Sequence, residues 1–338
     1  MKIVIDAMGG VQEPLEIVRG AMEAAEEGDV QIILTGPGDA ILRCLDQLGY
    51  RDLPGNVEVA NATEIITEED APALSARQKP DASMTVALRM LRDGGADALV
   101  SAGGAGALLA GATLILKRLK GVRRAALAPE VPCAGGTMLL VDPGANVECL
   151  PEHLVQFARM GTVYARKAIR EGMPRVGLLN TATEPETGTL LQREAFRLMT
   201  EEAAAGRLCF VGNVTADHAL MGDCDVLVSD GASGGVLRDA VSGAFVLMLR
   251  RLRETLTATA AGRLAAHIGR KRLDALEEEF SEAGCGGSIL LGVTKPVVRV
   301  GGAGDASAVR RAVSQAALLV RSGISGELAG VMDAEEET

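Results

Sequence analysis

The sequence predicts an α/β protein in which the strands of a large parallel sheet alternate with helices. Three observations carry that prediction. Apolar runs of strand length repeatedly enter clusters of glycine and small polar residues, then helix-forming segments, at Ala98–Gly106, Val226–Gly235 and Val297–Asp305. A chain of 338 residues with 48% hydrophobic content buries a full core, which excludes a largely disordered chain. That core is aliphatic, because Trp is absent and only 2 Tyr and 5 Phe are present, while 41 Gly supply turns without the three-residue period of collagen.

Taken in order, Lys2–Ala7 reads as a buried strand stopped by Gly9-Gly10, and Pro14 opens a helix through Ala25. Val30–Leu34 is a strand and Asp39–Leu48 a helix, with Val57–Ala60 a short strand. Residues 61–82 are less regular and are expected to close over a substrate. Asp81 or Ser83 caps a helix through Leu91, ended by Gly94-Gly95. After the 98–106 turn come a helix over Ala107–Leu119 and strands at Ala125–Leu127 and Thr137–Val141. Pro151 opens a helix to Ile169; Arg175–Asn180 is a strand and Leu190–Ala204 a helix. Strands at Leu208–Val211 and Cys224–Ser229 precede a charged, mainly helical stretch over 242–282, long enough to protrude. Ile289–Gly292, Val297–Val300 and a helix over Asp305–Val320 close the pattern, with no clean linker anywhere.

Net charge −11 argues against nucleic acid as a partner, since phosphate backbones need a basic footprint. Two local basic runs stand against that sign, Lys117–Arg124 and Arg250–Arg272, suited to an acidic protein, an anionic membrane or plain solvent. The six cysteines are dispersed and the three histidines scattered, so reduced thiols are expected, with no metal and no cofactor. No signal peptide is read at the start, and no run of membrane-spanning length, which places the protein in the cytoplasm.

Asp6, Asp142, Asp230 and Asp305 lie at or just after inferred strand ends, as do Asn146, Asn180 and Asn213. In an open α/β sheet the carboxyl ends of the strands share a crevice where ligands bind. Glycines there let backbone N–H groups approach an anion, and a following helix adds its positive end. Each Asp or Asn also has an ordinary use, satisfying its own turn or capping its own helix. His153, in a first helical turn, either reaches the cleft or caps locally. Gly9-Gly10 is an incomplete dinucleotide fingerprint, and neither a GxxxxGK[ST] loop nor a GxSxG elbow is present. Chemistry is therefore expected from alignment and backbone donors around phosphate rather than from a protein nucleophile.

The motifs Ile5-Asp6-Ala7-Met8-Gly9-Gly10, Ser101-Ala102-Gly103, Gly106-Ala107-Leu108, Ala126-Leu127-Ala128-Pro129, Gly144-Ala145-Asn146-Val147, Pro151-Glu152-His153-Leu154, Arg175–Asn180, Gly212-Asn213-Val214 and Asp230-Gly231 together resemble the bacterial PlsX family, over nearly the whole chain. That resemblance implies a single unit over 1–338 with a three-layer α/β/α, isocitrate/isopropylmalate-dehydrogenase-like fold, the 242–282 excursion included. It implies a homodimer that converts acyl-[acyl-carrier protein] and inorganic phosphate to acyl-phosphate and free carrier protein, in phospholipid synthesis. It also implies peripheral attachment to the inner face of the cell membrane through 242–282, where Phe245, Leu247, Leu249, Leu252 and Leu256 lie beside basic residues. With the strand-end reading, it puts catalysis at Asp6, Asp142, Asn146, His153, Asn180 and Asp230. Phosphate binding falls to Gly9, Gly10, Ser101, Gly103, Gly104, Gly106, Asn213, Gly231, Gly234, Gly302 and Asp305.

The chain departs from the family pattern at Val11-Gln12-Glu13, Gly104-Ala105, Ala232–Gly235, Asp239 (a lysine in the family) and Gly301–Gly304. Backbone donors survive these changes and polar side chains do not, which predicts a weaker pull on phosphate. A phosphotransacylase of small acyl-thioesters and a catalytically impaired carrier-protein or membrane scaffold remain alternatives, with a dehydrogenase a weaker third.

Overall fold

The computed structural model describes residues 1–10, 14–280, 287–301 and 304–333. The chain begins β1 (Lys2–Asp6), α1 (Pro14–Glu27), β2 (Gln31–Gly36), α2 (Gly38–Gln47), β3 (Val57–Asn61), α3 (Pro72–Gln78), α4 (Ser83–Arg92), β4 (Ala98–Ser101) and α5 (Ala105–Ile115). It continues β5 (Ala126–Cys133), β6 (Gly136–Val141), α6 (Pro151–Ala168), β7 (Arg175–Leu179), α7 (Leu190–Ala204), β8 (Cys209–Val214), α8 (Ala216–Leu220) and β9 (Val226–Val228). An arm of α9 (Gly231–Thr257) and α10 (Ala260–Phe280) precedes β10 (Ser288–Leu291), β11 (Val297–Arg299), α11 (Ala306–Ser322) and α12 (Ile324–Asp333).

The strands form one eleven-stranded sheet in the order β3-β2-β1-β4-β11-β10-β5-β6-β9-β7-β8. Helices cover both faces, giving three layers. On one face Ile3, Ile5, Val100, Val298 and Leu139 pack with α1, α6 and α11, where Phe157 and Tyr164 are fully buried. On the other, Val4, Leu99, Val297, Leu290 and Leu127 meet Met84, Leu88 and Leu108 of α4 and α5. Farther along that second face Val131, Met138 and Leu140 meet Ala219 of α8 and Leu237 of α9. The short apolar strands are buried on both sides, as sandwiched strands require.

The sheet is not parallel throughout, which corrects the sequence reading. β10 is antiparallel to both β11 and β5, and β5 is antiparallel to β6. Three reversals leave β6, β7, β8 and β9 running opposite to β1, β4 and β11. Pro129 and Pro132 lie inside the eight-residue β5, at positions where a sequence reading breaks a strand. The helix expected to begin at residue 242 is continuous from Gly231, started by the Asp230 side chain, which accepts from the Ser233 N–H at 2.9 Å. By length and composition this 27-residue helix is also long enough to cross a membrane, contrary to the sequence expectation. In the fold its first turns cover the sheet, and its second half packs on α10.

Candidate functional site

Register builds the site. Across five adjacent strands, Asp6 pairs with Ser101, Ser101 with Arg299, Arg299 with Ser288 and Ser288 with Pro129. Strand side chains alternate, and Val4, Leu99 and Val297, two residues earlier, face α4 and α5. Asp6, Ser101 and Arg299 therefore share that face, forming a polar row where β1, β4 and β11 end. Ser101 Oγ donates to Asp6 Oδ2 at 2.7 Å, and the Met8 N–H donates to Asp6 Oδ1 at 3.3 Å. The Gly103 N–H donates to Ser101 Oγ at 3.1 Å, and Arg299 Nε to the Gly103 carbonyl at 3.1 Å. Gly9 is required by packing: a Cβ there would lie 2.5 Å from Asp6 Oδ2 and 2.6 Å from Gly103 N. Beyond these turns α5 begins behind Gly104, where a Cβ would meet open space and no side chain caps the helix, so its first amides have no partner within the helix.

Asp6 is fully buried, and desolvation raises its pKa above the usual 3.8, against hydrogen bonds from Ser83, Ser101 and the turn amides. The sign for stability follows from linkage. As pH climbs past the unfolded value, the unfolded chain releases a proton that the native state still holds, so stability falls until the native group ionises as well. An Asp6→Asn variant is expected to escape this loss. Its melting temperature relative to the parent chain rises as pH climbs above about 4; parallel pH profiles of the two proteins would refute it.

The row opens into a small pocket of about 80 Å³ under α9, bounded by Pro129, Ser288, Arg299 and Gly301 on the sheet side and by Leu237, Arg238 and Val241 on the helix. Arg238 pairs with its neighbour Asp239 at 2.8 Å. Two guanidinium groups thus approach one small space from a strand end and a helix.

The other expected residues do not join this site. The carboxyl ends of β6, β7, β8 and β9 point the other way in the sheet, which corrects the single crevice expected from sequence. Asp142 and Asn146 form a buried turn: Asp142 accepts from the amides of Leu127, Ala145 and Asn146 and from Asn146 Nδ2, while Asn146 Nδ2 also donates to the Ala125 carbonyl. Burial raises the Asp142 pKa while those donors pull it down. The Gly231 N–H donates to the Asn146 carbonyl, and a Cβ on Gly234 would lie 2.2 Å from the Asp142 carbonyl oxygen, so both glycines seat α9 against this turn. Asp230 caps α9, and Asp305 caps α11 by accepting from the Ala308 N–H at 3.0 Å. His153 caps its own helix, its Nδ1 accepting from the Leu150 N–H at 3.1 Å; burial first and Arg124 second lower its pKa. Asn180 and Asn213 brace one loop, donating to the carbonyls of Thr187 and Glu184. Gly10 and Gly106 lie at the site's two turns, and Gly302 lies outside the described residues.

Sequence reasoning missed Ser83, Arg238 and Arg299. Arg299 left a trace, as the one charged residue in the apolar strand Val297–Val300. The five described cysteines are free thiols.

Fold and site define an α/β/α protein with a cationic cleft where several strands end. The fold is shared with a phosphotransacetylase from Streptococcus pyogenes, with a TM-score of 0.60 at 18% identity over 96% of this chain and 94% of that one. The chain belongs to the fatty acid synthesis protein family, whose pattern matches residues 1–326. It is 40% identical over 316 residues to a phosphate acyltransferase of Alkaliphilus oremlandii, covering 94% of this chain and 92% of that one. It is 39% identical to a phosphate acyltransferase of a Geobacillus species, over 96% of each.

Proposed function

We propose that this chain is a phosphate acyltransferase of lipid metabolism that converts an acyl-carrier-protein thioester and inorganic phosphate to acyl-phosphate and free carrier protein. The observation that carries this reading is the Asp6–Ser101–Arg299–Ser288 row beside Arg238, in a chain 40% identical to a phosphate acyltransferase. Arg299 and the first amides of α5 hold phosphate. Asp6 and Ser101 fix the turns that aim those donors, as positioning residues. A phosphate oxygen attacks the thioester carbonyl carbon, the same donors stabilise the oxyanion, and the C–S bond breaks. The proton carried by hydrogen phosphate ends on the departing sulfur. Asp142, Asn146, His153, Asn180, Asn213, Asp230 and Asp305 serve this site as scaffold.

The chain works as a homodimer in the cytoplasm, and the α9–α10 arm rests on the anionic inner face of the membrane. Phe245 and Leu249 are buried, so the residues for lipid contact are Leu247, Met248, Leu264 and Ile268, together with Arg250 and Arg251. The whole chain acts as one unit with this arm attached.

The test is phosphate-dependent release of carrier-protein thiol with acyl-phosphate identified as product. No product above blank at high enzyme concentration would sink the reading. Asp239→Asn, which removes the carboxylate that occupies Arg238, is expected to lower the KM for phosphate about two- to fivefold, the modest effect of an exposed pair. An unchanged KM would remove Arg238 from the phosphate site.

A further inference from the structure

The basic run Lys117–Arg124 is completed in the fold by a distant segment. The Thr294 N–H donates to the Lys117 carbonyl at 3.2 Å and the Leu119 N–H to the Gly292 carbonyl at 3.0 Å, which brings Lys295 beside the run. Lys117, Arg118, Lys120, Arg123, Arg124 and Lys295 are all exposed, on a chain of net charge −11. Elsewhere on the surface, arginines such as Arg92, Arg197, Arg207 and Arg310 pair with carboxylates. Among the described residues no carboxylate pairs with Lys117, Arg118, Arg123, Arg124 or Lys295. The run is also held in place. The buried Gln156 side chain accepts from the Arg123 N–H at 2.9 Å and donates to the Gly121 carbonyl at 2.8 Å, and Arg118 donates to the Arg123 carbonyl. Cations anchored in this way need little ordering when a partner arrives.

This patch and the phosphate site stand at the two ends of α5. The helix begins at the turns of the Asp6–Ser101–Arg299 row, and Lys117 follows its end by two residues; its 11 residues span about 17 Å. Between the ends, Gly106, Leu109, Ala110, Thr113 and Leu114 recur at helical spacing on a face that is exposed or half-buried and carries no charge. The outward face of a surface helix is ordinarily polar. An uncharged track from a cationic patch to a phosphate site matches a thioester carried on a flexible arm by an acidic protein. An anionic membrane fits less well, because interfacial binding needs exposed apolar side chains among the cations. Those of the patch's two segments, Leu116, Leu119, Val122 and Val293, are all buried.

We propose that this patch is the docking surface for an acidic face of the acyl-carrier protein, whose arm lies along α5 and delivers the thioester to phosphate at the first turn of that helix. This rests on the phosphate acyltransferase reading and adds where its protein substrate binds. Charges at a contact act mainly on the rate of encounter and on its salt dependence.

The experiment compares kcat/KM for dodecanoyl-[acyl-carrier protein] and dodecanoyl-pantetheine, which lacks the protein, and titrates labelled carrier protein against the enzyme by fluorescence anisotropy. The double variant Arg124→Glu, Lys295→Glu is expected to lower carrier affinity and carrier kcat/KM at least about tenfold while the pantetheine thioester is turned over as before. Arg43→Glu, the same reversal on α2 beside β2 and β3, is expected to leave both substrates unaffected. Raising salt from about 50 to 300 mM is expected to weaken carrier binding to the parent more than to the double variant. Carrier affinity unchanged in the double variant overturns the proposal, as does an equal loss in Arg43→Glu or no carrier binding by the parent chain. A loss confined to binding of phosphatidylglycerol vesicles also overturns it and gives the patch to the membrane. If the double variant does not fold, Arg124→Gln, Lys295→Gln decides by the same titration. Carrier binding that depends on the patch, with no acyl-phosphate from any thioester, instead overturns the phosphate acyltransferase reading itself.

Discussion

Replacing Arg299 with alanine is expected to raise the KM for phosphate by about 10- to 100-fold, the worth of a charge-assisted hydrogen bond to an anion. The side chain is half-buried in the register row, with Nε spent on the Gly103 carbonyl, so its guanidinium is held in place at the pocket wall. Arg299→Lys keeps the charge and loses the planar fork, and is expected to recover only part of the loss. Steady-state kinetics with phosphate varied at saturating acyl donor measure this directly. A KM within twofold of the parent in Arg299→Ala would move the phosphate away from this row.

The second large effect concerns stability. Asp142→Ala removes the acceptor of four N–H donors in a buried turn, from Leu127, Ala145 and Asn146. An orphaned buried donor costs about 1–3 kcal/mol, so the variant is expected to lose at least about 4 kcal/mol, a large share of a domain's total stability. The turn also seats the start of α9 through the Asn146 carbonyl, so the loss reaches the helix that covers the pocket. Thermal or urea unfolding reads it as a fall in midpoint of about 6 °C or more, or an equivalent shift in urea. Asp142→Ala melting with the parent chain would show that the turn is held by something else.

Much of the fold was legible because it is locally encoded. Apolar runs such as Lys2–Asp6 and Ala98–Ser101 are sandwiched strands, Pro151 suits a helical first turn, and the α7 bounds of Leu190 and Ala204 follow from sequence as they stand in the structure. The elements that escaped are those where local signals mislead. Pro129 and Pro132 hide the length of β5, the glycines at 231, 234 and 235 hide the start of α9, and α3 and α8 are too short for a helical period to show. The candidate site divided along the same line. Asp6, Gly9, Gly10, Ser101 and Gly103 come together because β1 and β4 are adjacent and parallel. Asp142, Asn146 and Asp230 sit at strand ends as expected but at the opposite edge, where they hold a turn and a helix.

By itself the sequence determined the alternation of strands and helices, the aliphatic core, the glycine turns and the family. Those features depend on periodicity and on residue types within a few positions of one another. Only the tertiary structure decided which strand ends share an edge, that Arg299 stands beside Ser101, and that α9 brings Arg238 to the same pocket. Strand direction and neighbours are set by pairing between segments far apart in the chain. One antiparallel strand more or less reverses an edge without altering any local pattern that a reader could see.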